Sequence, residues 1–108
     1  MRIIVGRYPP NFERIDAVFH TREKPVLYCF GDAIFNPMQI EVPPFLIAHE
    51  SVHCERQGDQ IEEWWDRYLA DPAFRLQEEL PAHAAEYACL RAHAPSRPAR
   101  RAALAFSS

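Results

Sequence analysis

Residues 45–58 read FLIAHESVHCERQG, and the five letters HESVH at 49–53 decide how the rest of the chain is understood. Pro44 stands where a helix accepts proline, at its first position, and Gly58 stands where a helix end favours glycine. The segment 44–57 is therefore expected to be a helix. On a helix, residues four apart share a face, with Cβ atoms about 5–6 Å from each other. His49 and His53 then aim two neutral imidazole nitrogens at one point, with Glu50 beside them. Two imidazoles are ligands suited to Zn²⁺, and the ion acidifies a water that a neighbouring carboxylate can deprotonate. An open catalytic site needs a third protein ligand, which this helix does not supply.

The rest of the chain is short. Its 108 residues fit one domain, and 48% apolar with 25% charged residues is the composition of a folded protein rather than a disordered one. A core of this size is modest, so a bound metal would add to its stability. The net charge of −3 argues against nucleic acid as the main partner. Charge is uneven, however: from Arg91 onward come Arg91, Arg97, Arg100 and Arg101 with no acidic residue. A domain over 1–94 followed by a solvated basic Ala/Arg/Ser/Pro tail over 95–108 accounts for this. Cys29, Cys54 and Cys89 are odd in number and widely spaced, the pattern of reduced thiols in a cytosolic protein. The start MRIIVGRYPP is too short an apolar run for a signal peptide, and no stretch is long enough to cross a membrane, so a cytoplasmic location is expected.

The first half reads as strands around one helix. RIIVGRY (2–8) is a strand ended by Pro9 and Pro10. NFERIDAVFH spaces Phe12, Ile15, Val18 and Phe19 as a helix, with Asn11 at its N-cap. PVLYCFGDAIFNP gives strands at 26–30 and 33–36 joined at Gly31-Asp32. The second half is helical. DQIEEWWDRYLAD carries Ile61, Trp64, Trp65, Tyr68 and Leu69, and Asp71-Pro72 opens a long helix that Pro81 should kink near Glu79. Trp64, Trp65 and Tyr68 are expected to pack against the histidine helix.

That long helix contains QEELPAHAAEY (77–87). Glu79 is followed three residues later by Ala82, small enough to let two helices approach closely. The segment resembles the E-x-x-A pattern that supplies the third ligand in the gluzincin branch of zinc metallopeptidases. IFNPMQIEVPPFLIAHESVH also resembles that clan, in which a strand precedes the H-E-x-x-H helix. Over residues 25 to about 90 the layout is similar to the small single-domain zincins often encoded by phages and prophages. The resemblance implies an α+β zincin-like domain with a small N-terminal sheet and a helical C-terminal half. It makes His49, His53 and Glu79 the zinc ligands and Glu50 the general base of a peptidase acting on peptides or proteins. Where relatives tend to carry an aromatic or acidic residue after the alanine, this chain has His83.

The residues themselves leave alternatives open. Glu78 points about 100° away from Glu79, whereas His83 and Glu86 share the face of Glu79; His83 is its main rival and would make a His₃ site. His83 and Tyr87 are the candidate donors to a developing oxyanion. The strand at 33–36 is a candidate for pairing with an extended peptide. Gln57 sits one turn past His53, Arg75 is expected to pair with an acidic neighbour, Cys54 to be a small buried side chain, and His20 and His93 suggest no partner. Against the peptidase stands a non-enzymatic reading in which zinc fastens two helices and the protein acts by binding. A di-iron bundle needs a second E-x-x-H segment, which the chain lacks.

Overall fold

The computed structural model describes residues 2–93; the proposed tail at 95–108 lies outside the described residues. Among these, three strands and four helices form an α+β domain: β1 (Arg2–Val5), α1 (Phe12–Phe19), β2 (Tyr28–Phe30), β3 (Ala33–Asn36), α2 (Pro44–Gln57), α3 (Ile61–Ala70) and α4 (Pro72–His93). No helix among the described residues is long and apolar enough to cross a membrane.

The sheet order is β1-β3-β2. β2 and β3 form an antiparallel hairpin with Cys29 opposite Ile34, closed by Gly31 at φ +66°. A side chain at Gly31 would also meet Ile61, since a Cβ there would lie 2.9 Å from Ile61 Cδ1. β1 returns parallel to β3, pairing Ile3 with Ile34. This corrects the expectation that 33–36 could take up a substrate strand: β3 is central, and both of its edges are already paired. Sequence alone does not show that β1 inserts there.

α1 and α3 bury an aromatic cluster. Phe12, Ile15, Tyr28, Trp64, Trp65 and Phe74 form its centre, and Trp64 stacks on Tyr68 with ring centroids 4.8 Å apart. Asn11 opens α1 through its carbonyl, which accepts from Ile15 N, and its side chain makes no capping bond. Asp71 does cap α4: its Oδ1 accepts from Ala73 N at 3.0 Å. The helix then runs unbroken to His93 with Pro81 inside it.

α2 and α4 meet differently. The buried residues of α2 are Leu46, His49, Glu50, His53, Cys54 and Gln57, a helical stripe that is mostly polar. Facing it, α4 buries Phe74, Glu78, Ala82, Glu86 and Leu90 at four-residue steps, with Ala82 fully enclosed between the helices. Glu78 accepts from Arg56 Nε and Nη2 (3.0 and 2.8 Å) and from Trp64 Nε1 (2.7 Å), joining three helices.

Two further expectations change. Cys29 and Cys54 are disulfide-bonded, with Cα atoms 5.6 Å apart, because β2 packs on α2; a 25-residue separation in sequence conceals that contact. Arg75 does not use its Nη1 on an acid: that atom donates to the carbonyls of Tyr68 and Leu69, and the guanidinium lies over Phe19.

Candidate metal centre

α2 places His49 and His53 on one face, and α4 brings Glu79 across to both. His49 Nε2 lies 3.1 Å from Glu79 Oε2, His53 Nε2 lies 3.0 Å from Glu79 Oε1, and the two Nε2 atoms are 3.2 Å apart. Four donors about 2.0–2.1 Å from a tetrahedral ion would be spaced about 3.3 Å from each other. The triangle of the two rings and the Glu79 carboxylate, each of whose oxygens faces one ring, therefore has separations close to that spacing.

The protons make the same point. Glu86 is fully buried, and its Oε1 lies 2.7 Å from His49 Nδ1. A carboxylate only accepts, so the neutral ring carries its proton on Nδ1 and presents a lone pair at Nε2. That lone pair faces the nitrogen of a second imidazole and a carboxylate oxygen. Glu79 Oε2 is itself buried and receives no hydrogen bond. Electron pairs and an anion gathered in a buried space leave room for a cation, and without one the arrangement is costly. A proton can serve in its place. Burial opposes charge on His49, yet Glu79, Glu50 and Glu86 outweigh it and raise the imidazole pKa.

The carboxylates around the triangle differ by environment. Burial pushes Glu50 up to about 7; His53 and His49 pull it down, while Glu79 and Glu86 push it further up. Burial would also raise Glu79, but the adjoining His49 and His53 imidazoles, and then the Tyr68 phenol, hold it well below the usual carboxylate range. The Tyr68 phenol donates to Glu79 Oε1. Its own pKa is raised, first by burial and then by the Glu79 charge.

A cavity of about 250 Å³ lies against this centre, with Glu50, His53 and Glu79 in one wall and residues of α1, β2 and α3 in the others. On α4, His83 is 43% exposed at its side chain, with Nε2 3.5 Å from Glu79 Oε2 and Nδ1 3.4 Å from Glu86 Oε1. Among the described residues, His49 with Glu50 and His53, and His49 with Glu79 and His83, also bring their ligand atoms within 4.8 Å of one another and could hold a metal ion.

The structure thus brings His49, His53, Glu79, Glu50 and His83 together. Tyr87 is 41% exposed on α4, and the phenol that reaches Glu79 is that of Tyr68. Sequence reasoning assigned Tyr68 to packing and left Glu86 as a rival ligand. Gln57 is buried below the site, its Oε1 accepting from Gly31 N (2.8 Å) and its Nε2 donating to Cys29 O (2.9 Å). It closes the outer edge of β2 at those residues. No protein-family model, curated protein or solved structure matches the chain.

Proposed function

We propose that the chain is a small zincin-like metallopeptidase with His49, His53 and Glu79 as zinc ligands and Glu50 as general base. One observation carries this reading: two imidazole nitrogens and a buried carboxylate oxygen without a donor converge, and a second buried carboxyl beside them faces a cavity. The donor set fits zinc, whose catalytic sites use two histidines and a glutamate and keep one position open. When bound, the ion would polarise a peptide carbonyl and acidify water.

The remaining work falls to the chain's own residues. Glu50, with a pKa near neutrality, takes a proton from the attacking water and returns it to the departing amine, the exchange a general base of that pKa performs well. Glu86 fixes the tautomer and the orientation of His49. Tyr68 orients the Glu79 carboxylate. His83, at the exposed side of the triangle, is the candidate donor to the carbonyl oxygen as it gains charge.

The test is cleavage of a peptide mixture by zinc-loaded protein, read by mass spectrometry, alongside Glu50→Gln. The variant is expected to keep its zinc and its fold while losing at least about 100-fold in turnover, the lower range for general-base catalysis. Unchanged turnover in Glu50→Gln, or purified protein that takes up no zinc, overturns the proposal.

A second reading draws on the same His83. With its Nε2 3.5 Å from Glu79 Oε2, this side chain is placed to become a fourth ligand, closing the site into a structural one in a protein that works by binding. Cobalt substitution separates the two readings: under the catalytic one, His83→Ala leaves the visible spectrum of the bound ion nearly unchanged.

A further inference from the structure

We infer that the cavity beside Glu50 and His53 is a subsite for one large apolar side chain of the substrate. The inference rests on the metallopeptidase reading and names the substrate class for it. Phe19, Val26, Leu27, Tyr28, Trp64 and Trp65 are among the apolar and aromatic residues of the cavity wall, and Glu50, His53 and Glu79 close it on the side of the centre. A side chain one or two bonds from the reacting carbonyl would therefore enter the cavity directly.

Size selects a side chain over a whole ligand. At about 250 Å³ the space falls below the roughly 300–1,000 Å³ of sites that enclose a drug-sized molecule. Chemistry selects an apolar one. Of the polar groups in the wall away from the centre, Thr21 Oγ1 accepts from the Tyr28 hydroxyl, and Arg75 turns Nη1 to two carbonyls of α3 with its guanidinium over Phe19. The rest is aromatic and aliphatic surface, which gives a charged group little to replace its water. A basic side chain would meet Arg75, and an acidic one Glu50 and Glu79. Among the wall residues, Val26 and Phe19 are only partly buried, so they set the width of the cavity without carrying the centre.

The test uses full-length zinc-loaded protein and two chelating probes, acetohydroxamate and 3-phenylpropanohydroxamate, with affinities measured by calorimetry. The phenyl probe is expected to bind about 10–100-fold more tightly, the gain from burying an aromatic group of that size. Val26→Phe, which fills the cavity, should reduce that advantage to less than about threefold while acetohydroxamate affinity stays unchanged. Phe19→Ala is the second variant, widening the cavity so that a naphthyl probe overtakes the phenyl one. A wild-type advantage below about threefold, with zinc and acetohydroxamate bound normally, overturns the subsite and leaves the metal reading standing. A phenyl advantage unmoved in both variants overturns its assignment to this cavity. Failure to bind zinc overturns the metallopeptidase reading and this inference together.

Discussion

The two sides of α3 are held together by opposite means. Toward α1 it buries Trp65 among Phe12, Ile15 and Tyr28, an aromatic core where removing water supplies most of the stability, with Trp65 Nε1 donating to Cys29 O and Arg14 of α1 paired with Glu62 and Asp66 at the exposed rim. Toward α4, Trp64 and Tyr68 hand over to carboxylates, and behind them α2 and α4 face each other through His49, His53, Glu78, Glu79 and Glu86. The aromatic side is complete as it stands. The carboxylate side is complete only where a partner exists: Glu78 has Arg56, Glu86 has His49, and Glu79 Oε2 lacks a donor. A fold this small spends its second helix pair on a polar interface, a costly choice unless an ion returns the stability.

The largest expected effect contrasts these two sides. Trp65→Ala should cost about 3–5 kcal/mol, as large aromatic truncations in a core do, and by the same amount with and without zinc. Chelation of the wild type should cost about 4 kcal/mol when zinc had been present at a thousand times its dissociation constant. Thermal unfolding of both proteins, each with zinc and with chelator, checks this. A chelator-insensitive midpoint in the wild type would mean that the α2–α4 interface is self-sufficient, like the aromatic side.

The disulfide comes next, since it ties the strand wall to the helix that carries both histidines. Closing a loop of 25 residues stabilises by about 3.5 kcal/mol on the chain-entropy relation. Treatment with a dithiol, or Cys29→Ser with Cys54→Ser, should lower the unfolding midpoint accordingly. If thiol titration of the native protein instead finds three free cysteines, the pair is a packed contact and the effect on stability will be small.

Glu86→Gln sharpens the comparison further. A group that orients a metal-binding histidine typically changes metal affinity by about 10–100-fold. The amide keeps the shape of Glu86 and still offers an oxygen to His49 Nδ1, so the low end is expected. Competition with a zinc indicator measures it, and an affinity equal to wild type would reduce Glu86 to a packing role.

Much of this was written in the residue pattern. α2 carries both of its end signals, Pro44 and Gly58, and the structure ends the helix between them; the i, i+4 spacing then obliges His49 and His53 to share a face. Asp71-Pro72 likewise marks the start of α4, and Ala82 lies at the close approach the sequence suggested. What was not written depends on distances between elements. Glu79 and Glu86 are two turns apart on one face, and only the separation of α2 from α4 decides that one reaches Nε2 of His49 and the other Nδ1. Tyr68 gave no signal, because a tyrosine in an aromatic helix reads as packing. The pairing of β1 with β3 and the meeting of Cys29 with Cys54 are likewise properties of topology, and local pattern does not encode them.

The smallest effect tests the carboxylate that Arg56 pairs. Burial pushes Glu78 up, but hydrogen bonds from Arg56 and Trp64 outweigh it and hold its pKa below the usual value of 4.5. A carboxyl with a depressed folded-state pKa adds stability that is fully present above its unfolded value and is lost as pH falls through the folded one. Glu78→Gln should therefore cost about 1–2 kcal/mol at neutral pH, and the gap to wild type should shrink steadily below about pH 4.5. Measuring both proteins in chelator removes any contribution from a bound ion, which would also dissociate in acid. The denaturant midpoints of the two should converge at low pH, because protonated Glu78 and glutamine then offer Arg56 nearly the same neutral partner. A gap that stays constant to pH 3 would show that the Arg56–Glu78–Trp64 junction acts through shape alone, making the two sides of α3 more alike than their chemistry suggests.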